Sequence, residues 1–461
     1  FPYTTLFRSL HALALLLGIA LVGHAERVST CPPFTTAHSW EGVVLDEPVD
    51  KGKTLRTDLF ILSGPLKGHK VRAYIQKDRT HGYDSTLQVG RCLSGYSQMR
   101  PPRPLSDSHF DYPTYLKARG IVAQTYISAD AWCLVRRSLN MVPPVERMKL
   151  YALTLRHRLL DRYREVGLVG QGLAVVSAMT LGDKSALTST LRDTYSMTGT
   201  SHILALSGMH LSIIFSLLAF GTRHVRMGLV RSVGCLVAVW FYVFLVGMPV
   251  SVVRSALMLT LYMAVTLSGR DATSVNTLAF TALVMLVANP LMLYDIGFQL
   301  SFLAVFSIEV LYVAVARAFP GLRRWPCLPR YLANLSLMST VAQIGTLPLT
   351  VYYFGRVSLC FLPANLIVVP AVFLVVYAAV FLLAVSFFRP LALSVSSVVM
   401  WLLDTLNRLL SWIASWPGAS IGGLHISLSQ LLLLYVLLGG IIRVAVLLCG
   451  RLSKQREAGL S

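Results

Sequence analysis

From about residue 203 onward the chain is a succession of long apolar stretches separated by short polar joints, whereas before residue 166 apolar residues come in short runs. A helix that crosses a bilayer needs about 20 mostly apolar residues. The long stretches predict spans near 203–221, 232–247, 251–268, 275–289, 296–316, 332–354, 358–388, 391–416 and 426–449. The short runs Trp40–Leu45, Leu59–Leu62, Val71–Ile75 and Ile121–Ile127 are rich in β-branched and aromatic residues. They are parted by turn formers at Asp46–Pro48, Ser63–Pro65 and Gly68, which predicts a small β-domain over 39–140. Five or so short strands in that length suit a small barrel such as the OB-fold. The fold class expected is a polytopic α-helical membrane protein with a small, extracytoplasmic β-barrel (OB-like) domain.

Two connecting segments fit neither pattern. Residues 146–165, ERMKLYALTLRHRLLDRYRE, form a basic amphipathic helix whose apolar face suits lipid headgroups, or else a solvated connector. Residues 166–181 are apolar but short, with three glycines, and are expected to be interfacial or re-entrant. The domain plan is therefore 1–25, a truncated membrane segment; 26–145, the OB-like domain; 146–181, the connecting helices; 182–450, the membrane domain; and 451–461, a basic cytoplasmic tail. The chain opens on Phe1 without Met, and residues 1–9 resemble translated adaptor sequence. The apolar run 10–22 reads either as a signal-peptide core or as the remnant of a membrane helix; both place the β-domain outside the cytoplasm.

Composition sharpens the picture. Of 461 residues, 55% are hydrophobic and 13% charged, against roughly 25% charged in soluble domains. An ordinary soluble enzyme and a disordered chain are both excluded. The net charge is +20, which calls for anionic partners. Part of it is topological: the loops Thr222–Arg231 and Arg317–Arg330 carry basic residues and no acid, and should be cytoplasmic. Four spans lie between these loops and four more between Arg330 and the tail, so all three basic segments fall on one side.

The rest of the charge gathers in residues 51–103, where eleven Lys and Arg face three Asp. Lys51, Lys53, Arg56, Lys67, Lys70, Arg72, Lys77 and Arg79, interleaved with Phe60, Tyr74, Tyr83 and Tyr96, have the composition of a single-strand binder. Cations follow phosphates while aromatic faces stack on any base. The alternative is that the aromatics form the barrel core and the charges keep it soluble.

Polar residues within the spans mark either packing or a pathway. His202, Ser207 and His210 lie in TGTSHILALSGMHLSII, expected to form one helix. Arg254 lies near the outer end of its span, with Asp295 a candidate partner. Asp295 and Gln299, four apart, are expected on one helix face. Asn365 lies between Pro363 and Pro370, which predicts a broken helix. Among seven cysteines, Cys92 and Cys133 both fall in the outer domain and are expected to form a disulfide. No zinc spacing, phosphate loop, metalloprotease motif or nucleophile elbow is present, so no catalytic residue, metal or cofactor is expected.

These residues fall in blocks that resemble the competence domain of the ComEC family: GDKS (182–185), TGTSHILALSGMHLSIIF (198–215), VGMPVSVVRSALM (246–258), YDIGFQLSFLAVFSI (294–308), AQIGTLPL (342–349) and ANLIVVP (364–370). FDYPTYLKARGI (110–121) resembles part of the OB-like domain preceding that channel. The resemblance implies an inner-membrane channel for single-stranded DNA, with Ser207, His210, Arg254 and Gln299 on its path or gate. It also implies membrane lipids, a separate nuclease, a periplasmic DNA receptor and a cytoplasmic DNA translocase as partners. Many members of that family end in a metallo-β-lactamase-like domain, of which this sequence shows no motif. The residues themselves leave open a secondary transporter of a small anion or lipid precursor, with the outer domain as a lid, and an assembly scaffold.

Overall fold

The structure, a computed structural model, describes residues 2–30, 34, 36–77, 87–104, 111–224, 228–267, 274–318, 321 and 324–458. The chain divides into two compact units. The first holds Phe1–Arg158, Phe244–Met248 and Ala282–Phe298, and the second Leu159–Val243, Pro249–Thr281 and Gln299–Ser461.

After helix α1 (Pro2–Val28), the first unit builds a sheet from β1 (His38–Val44), β2 (Val49–Asp50), β3 (Thr54–Ser63), β4 (Lys70–Gln76), β5 (Cys92–Ser97), β6 (Met99–Arg100), β7 (Ile121–Ile127) and β8 (Trp132–Val135). The strand order is β6-β7-β4-β3-β1-β5-β8, with β2 beside β3. The strands β1, β3 and β4 form an antiparallel meander, β5 returns antiparallel to β1, and β7 runs parallel to β4. This is the five-strand pairing expected of an OB-like barrel, with short strands added at its margins. A parallel neighbour requires a crossover, which here includes helix α2 (Tyr112–Ala118), capped by Asp111.

Alternation along the strands sends Trp40, Leu55, Leu59, Ile61, Val71, Ala73, Ile75, Leu93, Ala123 and Ile127 into one core. Trp40 fits because residue 95 is glycine: a Cβ there would lie 2.5 Å from the indole Cζ2. Its Nε1 donates to Ser97 Oγ at 2.8 Å, and that hydroxyl meets Thr125 Oγ1 at 2.7 Å, so these three buried polar groups are paired.

A second cluster, of Val43, Leu45, Phe60, Leu62, Cys92 and Val142, takes in Leu150 of helix α3 (Pro144–Glu165). Ion pairs Lys70–Glu146 (2.5 Å), Lys149–Asp46 (3.1 Å) and Arg156–Glu47 (2.9 Å) fasten the same helix. Part of the apolar face of 146–165 is thus taken up by the sheet domain. Leu150 and Leu153 are buried, leaving a different strip, Val145, Met148 and Tyr151, exposed.

The expected disulfide is also absent. Cys92 and Cys133 are both free, because the β5–β8 register sets Val135 opposite Cys92 and Ser94 opposite Cys133. Such a diagonal pair stands about 7–8 Å apart, beyond the reach of a disulfide.

The second unit is helical. It begins within α3 and continues through α4 (Gly170–Val176), α5 (Ser189–Met197), α6 (Ser201–Leu204), α7 (Gly208–Gly221), α8 (Gly228–Leu245), α9 (Val250–Leu267) and α10 (Ser274–Ala288), parts of the last and of α8 belonging to the first unit. The remaining helices are α11 (Ile296–Ser307), whose first three residues belong to the first unit, α12 (Val313–Ala318), α13 (Cys327–Phe354), α14 (Phe361–Val385), α15 (Arg389–Ala414) and α16 (Leu428–Ala458). Among the described residues, five helices are long and apolar enough to cross a bilayer: Gly228–Leu245, Val250–Leu267, Ile296–Ala316, Phe361–Val385 and Arg389–Ala414. The polytopic helical class with a small sheet domain therefore holds.

Two local expectations do not, those at 198–214 and at Asn365. The apolar connector also differs locally from a plain span: α4 runs into a π-turn, Ser177–Leu181, whose residues are all buried, and the segment ends at the left-handed Gly182. Twelve helical residues extend about 18 Å, too short to cross alone. The helix expected through 198–214 breaks at Ala205–Ser207. Conversely, α14 is unbroken around Asn365. Pro363 sits in its first turn, where a missing N–H has no intrahelical partner to lose, and Pro370 is carried inside the helix.

Candidate nucleic-acid interface and membrane path

The outer face of β3, β4 and β7 carries a row that the register dictates. Arg56 pairs with Tyr74, and Tyr74 with Tyr126, so all three side chains share a face. The two tyrosine rings stack, with centroids 4.9 Å apart and planes 13° from parallel. Tyr126 is 64% exposed. Tyr74 is half-buried and its hydroxyl lies 3.0 Å from that of Tyr112 on α2. Burial, reinforced by the Tyr112 hydrogen bond, pushes the Tyr74 phenol above its ordinary value, so it stays neutral and free to stack.

The row continues. Tyr112 stacks with Tyr115 at 6.2 Å, and Arg119 lies over the Tyr115 ring at 4.5 Å. Arg119 Nε is 3.7 Å from Asp295 Oδ2. Asn289 Nδ2 donates to the carbonyl of Ala118 at 2.8 Å. Six aromatic and basic side chains thus lead, within the first unit, from the sheet face to the turn before α11.

The basic residues named from sequence divide accordingly. Lys51 and Lys53 are exposed on the turn around Gly52, and Lys67 is exposed on the turn before β4. Arg56 joins the tyrosine row. Three are committed elsewhere. Arg72 is buried and makes a two-pronged pair with Asp58 at 2.7 and 2.9 Å, Lys70 is bound to Glu146, and Lys77 is bound to Asp50. Arg79 and Tyr83 lie outside the described residues. Phe60 belongs to the core, while Tyr96 is exposed. Sequence reading missed Tyr126, Tyr112, Tyr115 and Arg119. The signal was available in part, since the alternation of IVAQTYI puts Tyr126 on the face opposite Ile127.

Asp295 is not the partner of Arg254 and does not share a helix face with Gln299. It precedes α11 and caps it, accepting from Phe298 N at 3.1 Å, while its outer oxygen meets Arg119. Gln299, on the helix, accepts from the Tyr353 hydroxyl at 2.9 Å.

In the second unit, the break at Ala205–Ser207 starts α7 afresh at Gly208, with Ser207 as its N-cap and a capping box between Ser207 and His210. Ser207 N–H donates to His210 Nδ1 at 3.3 Å, with the Ser207 hydroxyl 3.1 Å from the same nitrogen. Ser251 Oγ donates to the carbonyl of Leu206 at 2.6 Å, so one carbonyl freed by the break is satisfied from α9. Gly208 lets α9 approach: a Cβ there would lie 2.5 Å from Ser255 Oγ and 3.8 Å from Arg254 Nη2. The Arg254 guanidinium lies 5.6 Å from the centroid of Phe302. Asn365 and His210 are buried. His202 is on the short helix α6, separated from His210 by the break. Among the described residues no group of three or more His, Cys, Asp and Glu could hold a metal ion.

A family model described as "Competence protein" matches residues 179–447. The chain is 29% identical over 264 residues to ComE operon protein 3 of Bacillus subtilis, covering 57% of this chain and 31% of that protein. It is 26% identical to Recombination protein 2 of Haemophilus influenzae, covering 44% of this chain and 27% of that one. It is also 26% identical to Competence protein ComA of Neisseria gonorrhoeae, covering 44% and 31%. The matches therefore span less than a third of each relative. No solved structure matches.

Proposed function

Because the chain belongs to the competence-protein family, we propose that it passes single-stranded DNA inward through the bacterial inner membrane during natural transformation. The observation that carries this reading is the row in which Tyr74, flanked by Arg56 and Tyr126, leads on to Tyr112, Tyr115 and Arg119, from the barrel face to the turn before α11. Aromatic faces spaced along a basic track hold successive bases without selecting sequence. A lid for a small solute has no need of one.

The same unit supports an outer location for the barrel. It contains Phe244–Met248 and Ala282–Phe298 together with the sheet. These include the turns between α8 and α9 and between α10 and α11, at the ends of those helices away from the Arg-rich loops that the positive-inside rule assigns to the cytoplasm. The strand would be captured on the barrel, led along the tyrosines, and passed into the helical bundle beside the broken helix α6–α7. A separate nuclease, a periplasmic receptor and a cytoplasmic translocase would deliver and draw in the strand. The full chain in detergent should bind a labelled dT oligomer with an affinity that falls steeply as salt rises. Absence of binding at low salt would remove the reading, and wild-type DNA uptake by a null strain would do the same.

A further inference from the structure

The start of α7 holds positive potential that its capping box, Ser207 with His210, balances only in part. The first N–H groups of a helix lack intrahelical acceptors and sit at the positive end of its dipole. Arg254, only 6% exposed, places Nη2 beside Gly208, the first residue of that helix. Its Nε and Nη1 have no hydrogen-bond partner, and among the described residues no carboxylate pairs with it. His210, fully buried on the same turn, uses Nδ1 to accept from Ser207 N–H, which leaves Nε2 to carry the proton of a neutral ring; that Nε2 is also without a partner. The only described compensation for the guanidinium is the face of Phe302 at 5.6 Å. A buried, unpaired guanidinium is strongly unfavourable, and a helix N-terminus beside it adds to the cost. Both are relieved by an anion that accepts from the guanidinium fork and the first-turn amides.

We propose that the N-terminus of α7 and Arg254 form a phosphate site inside the membrane domain, and that its occupant is a phosphodiester of the transported strand. This rests on the DNA reading above and deepens it. The barrel's row addresses bases, whereas this site addresses the backbone. Tetrahedral phosphate oxygens match two guanidinium donors and the amides of a helix start. A single such site binds any sequence equally, and each nucleotide presents the next phosphate to it.

The test is amide hydrogen exchange at Gly208 and Met209 in the full chain, held in a sugar-headgroup detergent that contains no phosphate. The next two amides have acceptors already, His210 N–H in the capping box and Leu211 N–H at the Ser207 carbonyl, 3.4 Å away, whereas the first two are protected by an occupant rather than by the helix. Saturating dT12 should slow their exchange at least about ten-fold, as should inorganic phosphate compared with chloride at equal ionic strength, whereas dT12 with uncharged methylphosphonate linkages should not. Arg254→Met should abolish the protection while dT12 still binds the barrel, as read by fluorescence anisotropy. Removal of an unpaired buried charge favours folding of this variant, and Arg254→Lys, which keeps the charge without the fork, should give intermediate protection. Bound dT12 without protection at Gly208 and Met209, or equal protection in Arg254→Met, overturns the site and leaves the DNA reading standing. Protection by phosphatidylglycerol vesicles alone, with none by dT12, assigns the site to lipid and overturns the proposal. Loss of anisotropy binding in the wild type counts instead against the DNA reading, and the inorganic phosphate measurement still decides the site.

Discussion

Tyr74 and Tyr126 stack at 4.9 Å because β4 and β7 run parallel and in a register that sets these two residues side by side. Adding a base to an exposed aromatic face contributes about 1–3 kcal/mol. Tyr126→Ala should therefore weaken dT oligomer binding by the full chain about thirty-fold, the middle of that range, with unchanged thermal stability because Tyr126 is exposed. Fluorescence anisotropy measures the first and a melting curve the second; unchanged affinity would show that the row is not a track.

Tyr74→Phe isolates the hydroxyl. It should keep the stack and lose only the 3.0 Å bond to Tyr112, costing about 1 kcal/mol of stability with little effect on DNA affinity. A large loss of affinity would mean that Tyr74 contacts the strand through oxygen.

Gly208→Ala should impair the bundle. The added methyl meets Ser255 Oγ, which is itself held by the carbonyl of Ser251 at 3.0 Å, and overpacking of this kind costs about 1–3 kcal/mol. The double variant with Ser255→Gly should recover most of the loss, which a detergent-resistance or melting assay would register.

The pair Glu41–Arg137 gives a pH signature to the barrel. Two hydrogen bonds, at 2.8 and 2.9 Å, from the Arg137 guanidinium hold the Glu41 carboxyl below its ordinary 4.5. A carboxyl lowered on folding stabilises the folded state above its unfolded value, and that contribution disappears as pH falls through the folded value. The gap in melting temperature between wild type and Arg137→Ala should accordingly be constant from pH 7 to about 5 and shrink toward pH 3. A gap that widens in acid would contradict this.

Much of the architecture was legible because it rests on periodicity. The long apolar runs became helices near their expected limits, and Leu55, Leu59, Val71, Ala73 and Ile75 entered the core by alternation. What eluded sequence reading depends on partners distant in the chain. Arg72 and Lys70 look like phosphate ligands until Asp58 and Glu146 stand opposite them. The cysteines 92 and 133 lie on neighbouring strands, yet the register sets them diagonally. Proline at 363 and 370 suggested a broken helix, whereas the break fell at Ala205–Ser207, a stretch whose residues give no comparable local signal. The Arg254–Asp295 pairing failed for the same reason: Arg119, from the barrel, is the residue that reaches Asp295.

The parallel pairing of β4 with β7 also constrains the order of assembly. The meander β1–β3–β4 can form as soon as Gln76 has been made, but its edge stays open until Ile121–Ile127 arrives through the crossover. Contacts this distant in sequence form slowly, while helices can form locally on far shorter timescales. An open β4 edge is a surface on which other extended chains can pair. The barrel is thus the segment most exposed to misassembly during biogenesis, and conditions that slow its closure should lower the yield of the whole chain before they affect any membrane helix.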